Sequence, residues 1–283
     1  FPAAFCGVVG YKPTLGVLSN RGNIGSGNGS FSTPGPIASC VRDAAVTAQA
    51  LAGFDADYAY SRPEPPPELV RGLENGVRGL RIGTSPDLLD PAPEPAVHAA
   101  YDATLHRLAR LGADIRDVRL PHQGLVLAGV TAMFAIEAEP ALDELIGDRP
   151  RELSPRLARL RTQTPTFDTA ACARAQHDRQ RIRRDYAAAF CDVDVLISPV
   201  APCPAPRIDT DEGQFVLRCV PYTGAANLVG LAAVSLPAGV AGGLPLAVQI
   251  IGPVGGDALV LRVAYALEQA AAEHRVGTPP LIA

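Results

Sequence analysis

Strand-like and helix-like patterns alternate along these 283 residues, which predicts an α/β fold, a mixed β-sheet flanked by helices on both faces. Two observations carry that expectation. Segments with a 3.6-residue apolar period separate short apolar runs from Leu80 onward. Near the end of the sequence two such runs stand on either side of Gly242-Gly243, the pattern of a hairpin near the sheet centre. No internal repeat is present.

Taken in order, residues 22–36 form a turn-rich loop. A helix follows, with Ser39 as N-cap, Val41, Ala44, Ala45, Ala48, Leu51 and Ala52 on its apolar face, and Gly53 ending it. Proline-rich 62–67 is a surface connection. Leu80 to Gly83 is a short strand. Glu94 to Leu111 is a helix with Val97, Tyr101, Leu105, Leu108 and Leu111 on one side, stopped by Gly112, and Ile115 to Leu120 is a strand. Residues 124–146 are helical with an interruption at Pro140, and 168–191 make a second long helix, charged on one face. A strand at 193–197 ends in Ser198-Pro199. Pro221 to Val229 is a short helix or turn before the hairpin strands, Leu231 to Pro237 and Leu246 to Pro253. Asp257 to His274 is a closing helix with Leu259, Val263, Ala266 and Leu267 inward.

Hydrophobic residues make up 47% and charged ones 19%, enough apolar content for a substantial core in a chain of this length. The net charge of -4 gives no electrostatic reason to expect direct binding of nucleic acid or an anionic membrane. No uninterrupted apolar run reaches the roughly eighteen residues of a membrane span, and no signal peptide is visible. Six scattered cysteines without a C-x-x-C pair read as free thiols, which suits the cytoplasm.

The opening FPAAFCGVVGYKPTLG carries the most specific information. With Thr33-Pro34-Gly35-Pro36-Ile37, Arg42-Asp43-Ala44-Ala45, and the run from Asn227-Leu228-Val229-Gly230-Leu231 through Leu244-Pro245 to Gln249-Ile250-Ile251-Gly252-Pro253, it resembles the amidase signature hydrolases, the Ser–cis-Ser–Lys amidases. These islands span the chain in the family's order. In that family a Gly-Gly-Ser motif, an arginine and one apolar residue precede the Pro-Ala pair, so the resemblance implies residues 1–283 are the later two-thirds of one α/β domain that continues upstream. Sheet edges and apolar faces are then expected to be uncovered. One departure stands out: many relatives have Ser-Leu-Asp before the Gly-Pro pair, and this chain has Ser30-Phe31-Ser32.

The resemblance implies covalent acyl transfer on a small-molecule amide. A serine attacks the amide carbon, helped by a second serine in a cis peptide and a neutral lysine, with no metal or organic cofactor. All three side chains are expected upstream of Phe1, leaving this chain inactive alone. The family places substrate contacts in the loop after the 193–197 strand, so Ser198, Pro199 and Val200, with Phe31 and Phe134, are the pocket candidates. Glu137 reads as a helix-surface carboxylate. A non-catalytic scaffold or ligand-binding subunit, and the glutaminase subunit of a tRNA-dependent amidotransferase, remain as alternatives. The missing segment of the same domain is an expected partner, and a homodimer is left open.

Other residues invite functional readings that the pattern does not support. Lys12, the only lysine, reads as solvent-facing or locally bonded, and Ser26 as part of a flexible loop without nucleophile-elbow spacing. His98 and His106 share a helix but lack a metal-ligand pattern. His122, His177 and His274 read as surface residues, and Asp192 and Asp194 as structural.

Overall fold

The alternation of side chains along the central strands decides the architecture. In a computed structural model, which describes residues 1–23, 29–147, 149, 153–163 and 166–271, seven strands form one continuous sheet. They are β1 (Val9–Lys12), β2 (Ile37–Ala38), β3 (Arg81–Thr84), β4 (Asp114–Asp117), β5 (Val195–Pro199), β6 (Ala232–Ala241) and β7 (Leu244–Gly252). Their spatial order is β2-β1-β6-β7-β5-β3-β4. β3 pairs in parallel with β4 and β5, and the other neighbours are antiparallel, so the sheet is mixed as the sequence predicts.

Helices cover both faces because both faces are apolar. Val195 and Ile197, Val234 and Leu236, and Val248 and Ile250 point into one core with α2 (Val41–Leu51), α3 (Pro95–Arg110) and α9 (Asp257–Ala270). Leu196, Ala233 and Ile251 point the other way, into a second core with α4 (Val126–Met133), α7 (Thr169–Asp192) and α8 (Glu212–Val229). A short α1 (Pro2–Cys6) packs on β1, β6 and β7. The hairpin joining β6 and β7 turns on Gly242 and Gly243, with φ of 57° and 81°. A two-residue turn of that hand fits the twist of its strands and favours glycine.

Four local expectations are corrected. Cys40, not Ser39, caps α2, and it makes no side-chain cap; the helix start is held from outside, where the Val41 amide donates to Glu268 Oε1 of α9 at 2.9 Å. Leu51, expected on the apolar face, is 62% exposed. Pro140 does not interrupt its helix: a π-helical turn at Phe134–Ala138 precedes α5 (Glu139–Ile146) and accommodates the ring and the missing N–H. Pro221 is interior to α8, which begins nine residues earlier than expected, capped by Asp211 accepting from the Gln214 amide at 2.9 Å.

The helix running from Gln123 to Ile146 meets the length and hydropathy of a membrane span. Its buried residues pack on α7 and α8, and it carries Glu137 and Glu139. At the sheet margin, the two-residue edge strand β2 leaves Ile37 57% exposed.

Gly10 fixes how closely α1 can lie on β1, since a Cβ there would stand 2.6 Å from the Ala3 Cβ. Gly10→Ala is therefore expected to cost about 1–3 kcal/mol, read from urea unfolding midpoints. Adding Ala3→Gly to that variant should restore part of the loss; equal midpoints for wild type and Gly10→Ala would contradict this packing.

Candidate active site

A buried cluster of opposite charges holds the 29–33 loop against α7 and the π turn. The Ser30 amide and hydroxyl donate to the two carboxylate oxygens of Glu137, each at 2.5 Å. Arg179 closes the cluster from α7. Its Nη1 donates to Ser30 Oγ at 2.6 Å, its Nη2 to the Ser30 carbonyl at 2.9 Å, and its Nε to the Leu228 carbonyl at 2.6 Å. Arg179 is 6% exposed and its Nη1 lies 3.8 Å from Glu137 Oε1. Burial lowers the guanidinium pKa and the Glu137 carboxylate opposes that shift. A charge so buried persists because every nitrogen of the fork is bonded. Glu137 is thus an anchor, where the sequence suggested a surface carboxylate.

Glu137 and Phe134 stand three residues apart, on one side of their helix, and they meet consecutive residues of the loop. While Glu137 binds Ser30, the Phe134 ring meets Phe31 edge-on at 6.0 Å between centroids. Phe31 is buried and Phe134 is 40% exposed, so the pair presents one aromatic face outward. The structure brings these two pocket candidates together.

The other three candidates lie at the end of β5. Ser198 is fully buried and accepts from Gln249 Nε2 at 2.8 Å while donating to the Pro199 carbonyl at 3.1 Å. Gln249 Nε2 also donates to the Tyr222 carbonyl at 2.6 Å, tying the strands to α8. Ser198 and Pro199 therefore stand in the core, with the Ser198 hydroxyl engaged. Val200 lines a small crevice with Ala4 and Phe5 of α1. A larger cavity of about 180 Å³, lined by Arg62, Glu64 and Asp257 among others, touches none of the five candidates.

Lys12 is locally bonded, its Nζ donating to the Pro13 carbonyl at 2.9 Å. Burial lowers its pKa to about 7, and Asp257 pulls it back upward. Asp257 is itself buried, accepting at one oxygen from the Tyr11 hydroxyl at 2.5 Å and the Thr14 amide at 2.8 Å, which joins β1 to the start of α9. Asp194 binds the Arg81 backbone and side chain, a structural role. His98 lies 3.0 Å from Asp102 and His122 3.1 Å from Asp185, and His106 and His177 are exposed. Among the described residues no cluster of three metal-ligating side chains occurs. All six cysteines are free. Ser26 and His274 lie outside the described residues.

Sequence reasoning missed Arg179, although a signal existed. Ala175, Arg179, Ile182, Tyr186 and Ala189 form the buried stripe of α7 at spacings of four and three, so an arginine occupied an apolar position. Such a residue needs a buried partner.

Two outcomes are expected from these bonds. Arg179→Met leaves the Glu137 carboxylate without its cation and should cost about 3 kcal/mol in urea unfolding, with Glu137→Gln added to it recovering part. Lys12 has a folded pKa below its unfolded value of 10.5, so the unfolded chain binds more protons between about pH 7 and 10.5. Stability should therefore rise with pH across that window more in wild type than in Lys12→Met, read from thermal midpoints; parallel curves would remove the effect.

Comparison with known proteins agrees with this architecture. The Amidase family pattern matches residues 1–261. A glutamyl-tRNA(Gln) amidotransferase subunit of Synechococcus sp. (strain JA-3-3Ab) is 35% identical, over 99% of this chain and 60% of its own length. The same subunit of Pseudomonas entomophila (strain L48) is 30% identical, over 96% and 62%. The chain thus spans about three-fifths of the curated relatives it matches. Among solved structures, the Thermotoga maritima form of this subunit superposes with a TM-score of 0.76 at 29% identity, covering 95% of this chain and 59% of that one. A bacterial aryl acylamidase of the amidase signature family superposes at 0.82 with 23% identity, over 98% and 62%, a likeness of fold. With its mixed sheet covered on both faces and the family pattern matched over most of its length, this chain belongs to the amidase family.

Proposed function

We propose that this chain is the larger part of an amidase that cleaves a carboxamide C–N bond through a serine acyl-enzyme. Family membership over residues 1–261 carries the reading. The nucleophilic serine, the cis-serine and the lysine come from residues preceding Phe1 in the longer protein. Serine oxygen adds to the amide carbon as the lysine takes its proton, the amine leaves with that proton, and water then releases the acid. This scheme uses neither metal nor organic cofactor. Within the chain itself, no described serine hydroxyl is bonded to a lysine or histidine, and Lys12 is tied to Pro13. Phe31, Phe134 and Val200 face the substrate, while Ser198 and Pro199 brace the loop beneath Val200. The free thiols suit a reducing, cytoplasmic setting.

A second reading, the glutaminase subunit of a tRNA-dependent amidotransferase, is favoured by the names of the curated relatives. Co-purification with a larger tRNA-binding partner would support it.

The chain alone is expected to show no turnover of simple amides, whereas the product of the same gene extended upstream should turn them over and react with a fluorophosphonate at serine. Serine-dependent turnover by these 283 residues alone would defeat the division of labour proposed here. An upstream coding region without Gly-Gly-Ser-x-Arg would favour a non-catalytic scaffold instead.

A further inference from the structure

We propose that the cavity between the 62–67 segment and the start of α9 binds a short alkylammonium ion, its N–H groups donating to Asp257 and its carbon chain lying against Val17 and the prolines. The site is independent of the amide chemistry proposed above.

The carboxylate is the first ground. Asp257 opens α9, is fully buried and lines the cavity of about 180 Å³. Its Oδ1 accepts from the Tyr11 hydroxyl at 2.5 Å and the Thr14 amide at 2.8 Å. Its Oδ2, equally buried, has no hydrogen-bond partner among the described residues. A carboxylate oxygen withdrawn from water without a donor is costly, and a bound donor offsets that cost.

The cavity's own walls do not supply the donor. Pro65, Pro66 and Pro67 have no N–H. The Val17 amide donates to the Thr14 carbonyl at 3.1 Å, the Gly53 amide to the Val17 carbonyl at 3.4 Å and the Gly255 amide to Thr14 Oγ1 at 2.9 Å. Arg62 Nε pairs with Glu64 Oε2 at 3.5 Å, and Lys12 Nζ bonds the Pro13 carbonyl. A ligand has to bring the missing N–H.

The same walls define its class. A hard metal ion wants several oxygen ligands, and no cluster of three metal-ligating side chains occurs among the described residues. A protonated amine needs a single carboxylate oxygen, and its charge makes that bond stronger than one from a neutral donor. Arg62 and Glu64 neutralise each other, which leaves Asp257 as the charge an incoming ion meets. Val17 and the three prolines give methylene groups an apolar wall. That wall is tied at both ends, by the Arg62 amide to the Gly16 carbonyl at 3.3 Å and by the Leu69 amide to Gln49 Oε1 at 2.6 Å, so binding orders little chain.

The test titrates the gene product extended upstream, methyl-labelled at valine, with n-propylammonium, n-propanol and propionate, followed by NMR. The ammonium ion is expected to bind about tenfold more tightly than the alcohol of the same shape, and propionate more weakly than either. Nuclear Overhauser contacts from the propyl chain to the Val17 methyls should locate it in the cavity. Asp257→Asn should weaken the ammonium ion about tenfold and leave the alcohol nearly unchanged, with a thermal melt to check the fold. Should that variant not fold, the alcohol comparison and the Val17 contacts decide alone. Equal affinity for ammonium and alcohol, no saturable binding, no contact with Val17, or unchanged affinity in a folded Asp257→Asn would each overturn the inference.

Discussion

The sheet is buried on both faces, and that constraint shapes everything around it. Because successive residues of a strand point to opposite sides, β5, β6 and β7 must be apolar at consecutive positions, feeding one core with Ile197, Val234 and Ile250 and the other with Leu196, Ala233 and Ile251. A polar side chain admitted to these strands loses water and is stabilised when it finds partners inside the protein. Ser198 and Gln249 do so across paired strands and through the Tyr222 carbonyl. The same pressure explains the close seat of α1, where a glycine on β1 lets the helix approach the sheet.

Away from the sheet, a buried ion cluster sets the geometry. Arg179, Ser30 and Glu137 join α7, an irregular loop and a π turn, three elements with no backbone pairing among them. Such a cluster contributes little net stability over an apolar replacement, but removing one partner is costly. Its effect is positional: it fixes the 29–33 loop in one place and sets Phe31 against Phe134. The π turn has two associated features, the proline two residues after it and the carboxylate within it, in a segment whose sequence predicts a helix broken at that proline.

The family relationship and the local chemistry constrain different things. Kinship with amidases establishes the scaffold over nearly the whole chain, and relatives named as amidotransferase subunits share about a third of its residues or slightly fewer. The substrate is decided by side chains that vary on that scaffold. Here the charges nearest the aromatic pair are consumed by the protein itself, Arg179 by Ser30 and Leu228 and Glu137 by Ser30.

By itself the sequence determined the mixed sheet, its glycine hairpin, the helices on both faces and the family, because periodicity and local motifs are short-range properties. Phe31 and Phe134 were legible as apolar residues of an expected loop and an expected helix, but not that their rings touch, since 103 positions separate them and only the packing of α4 and α7 closes that distance. The start of α2 was misread for the same reason, its orphan amide being met by Glu268 from the far end of the chain. Tertiary structure alone decided that Ser198 is a core residue, that Glu137 is an anchor and that Arg179 is buried. Each of those assignments depends on a partner distant in sequence, and a partner of that kind leaves no mark on local pattern.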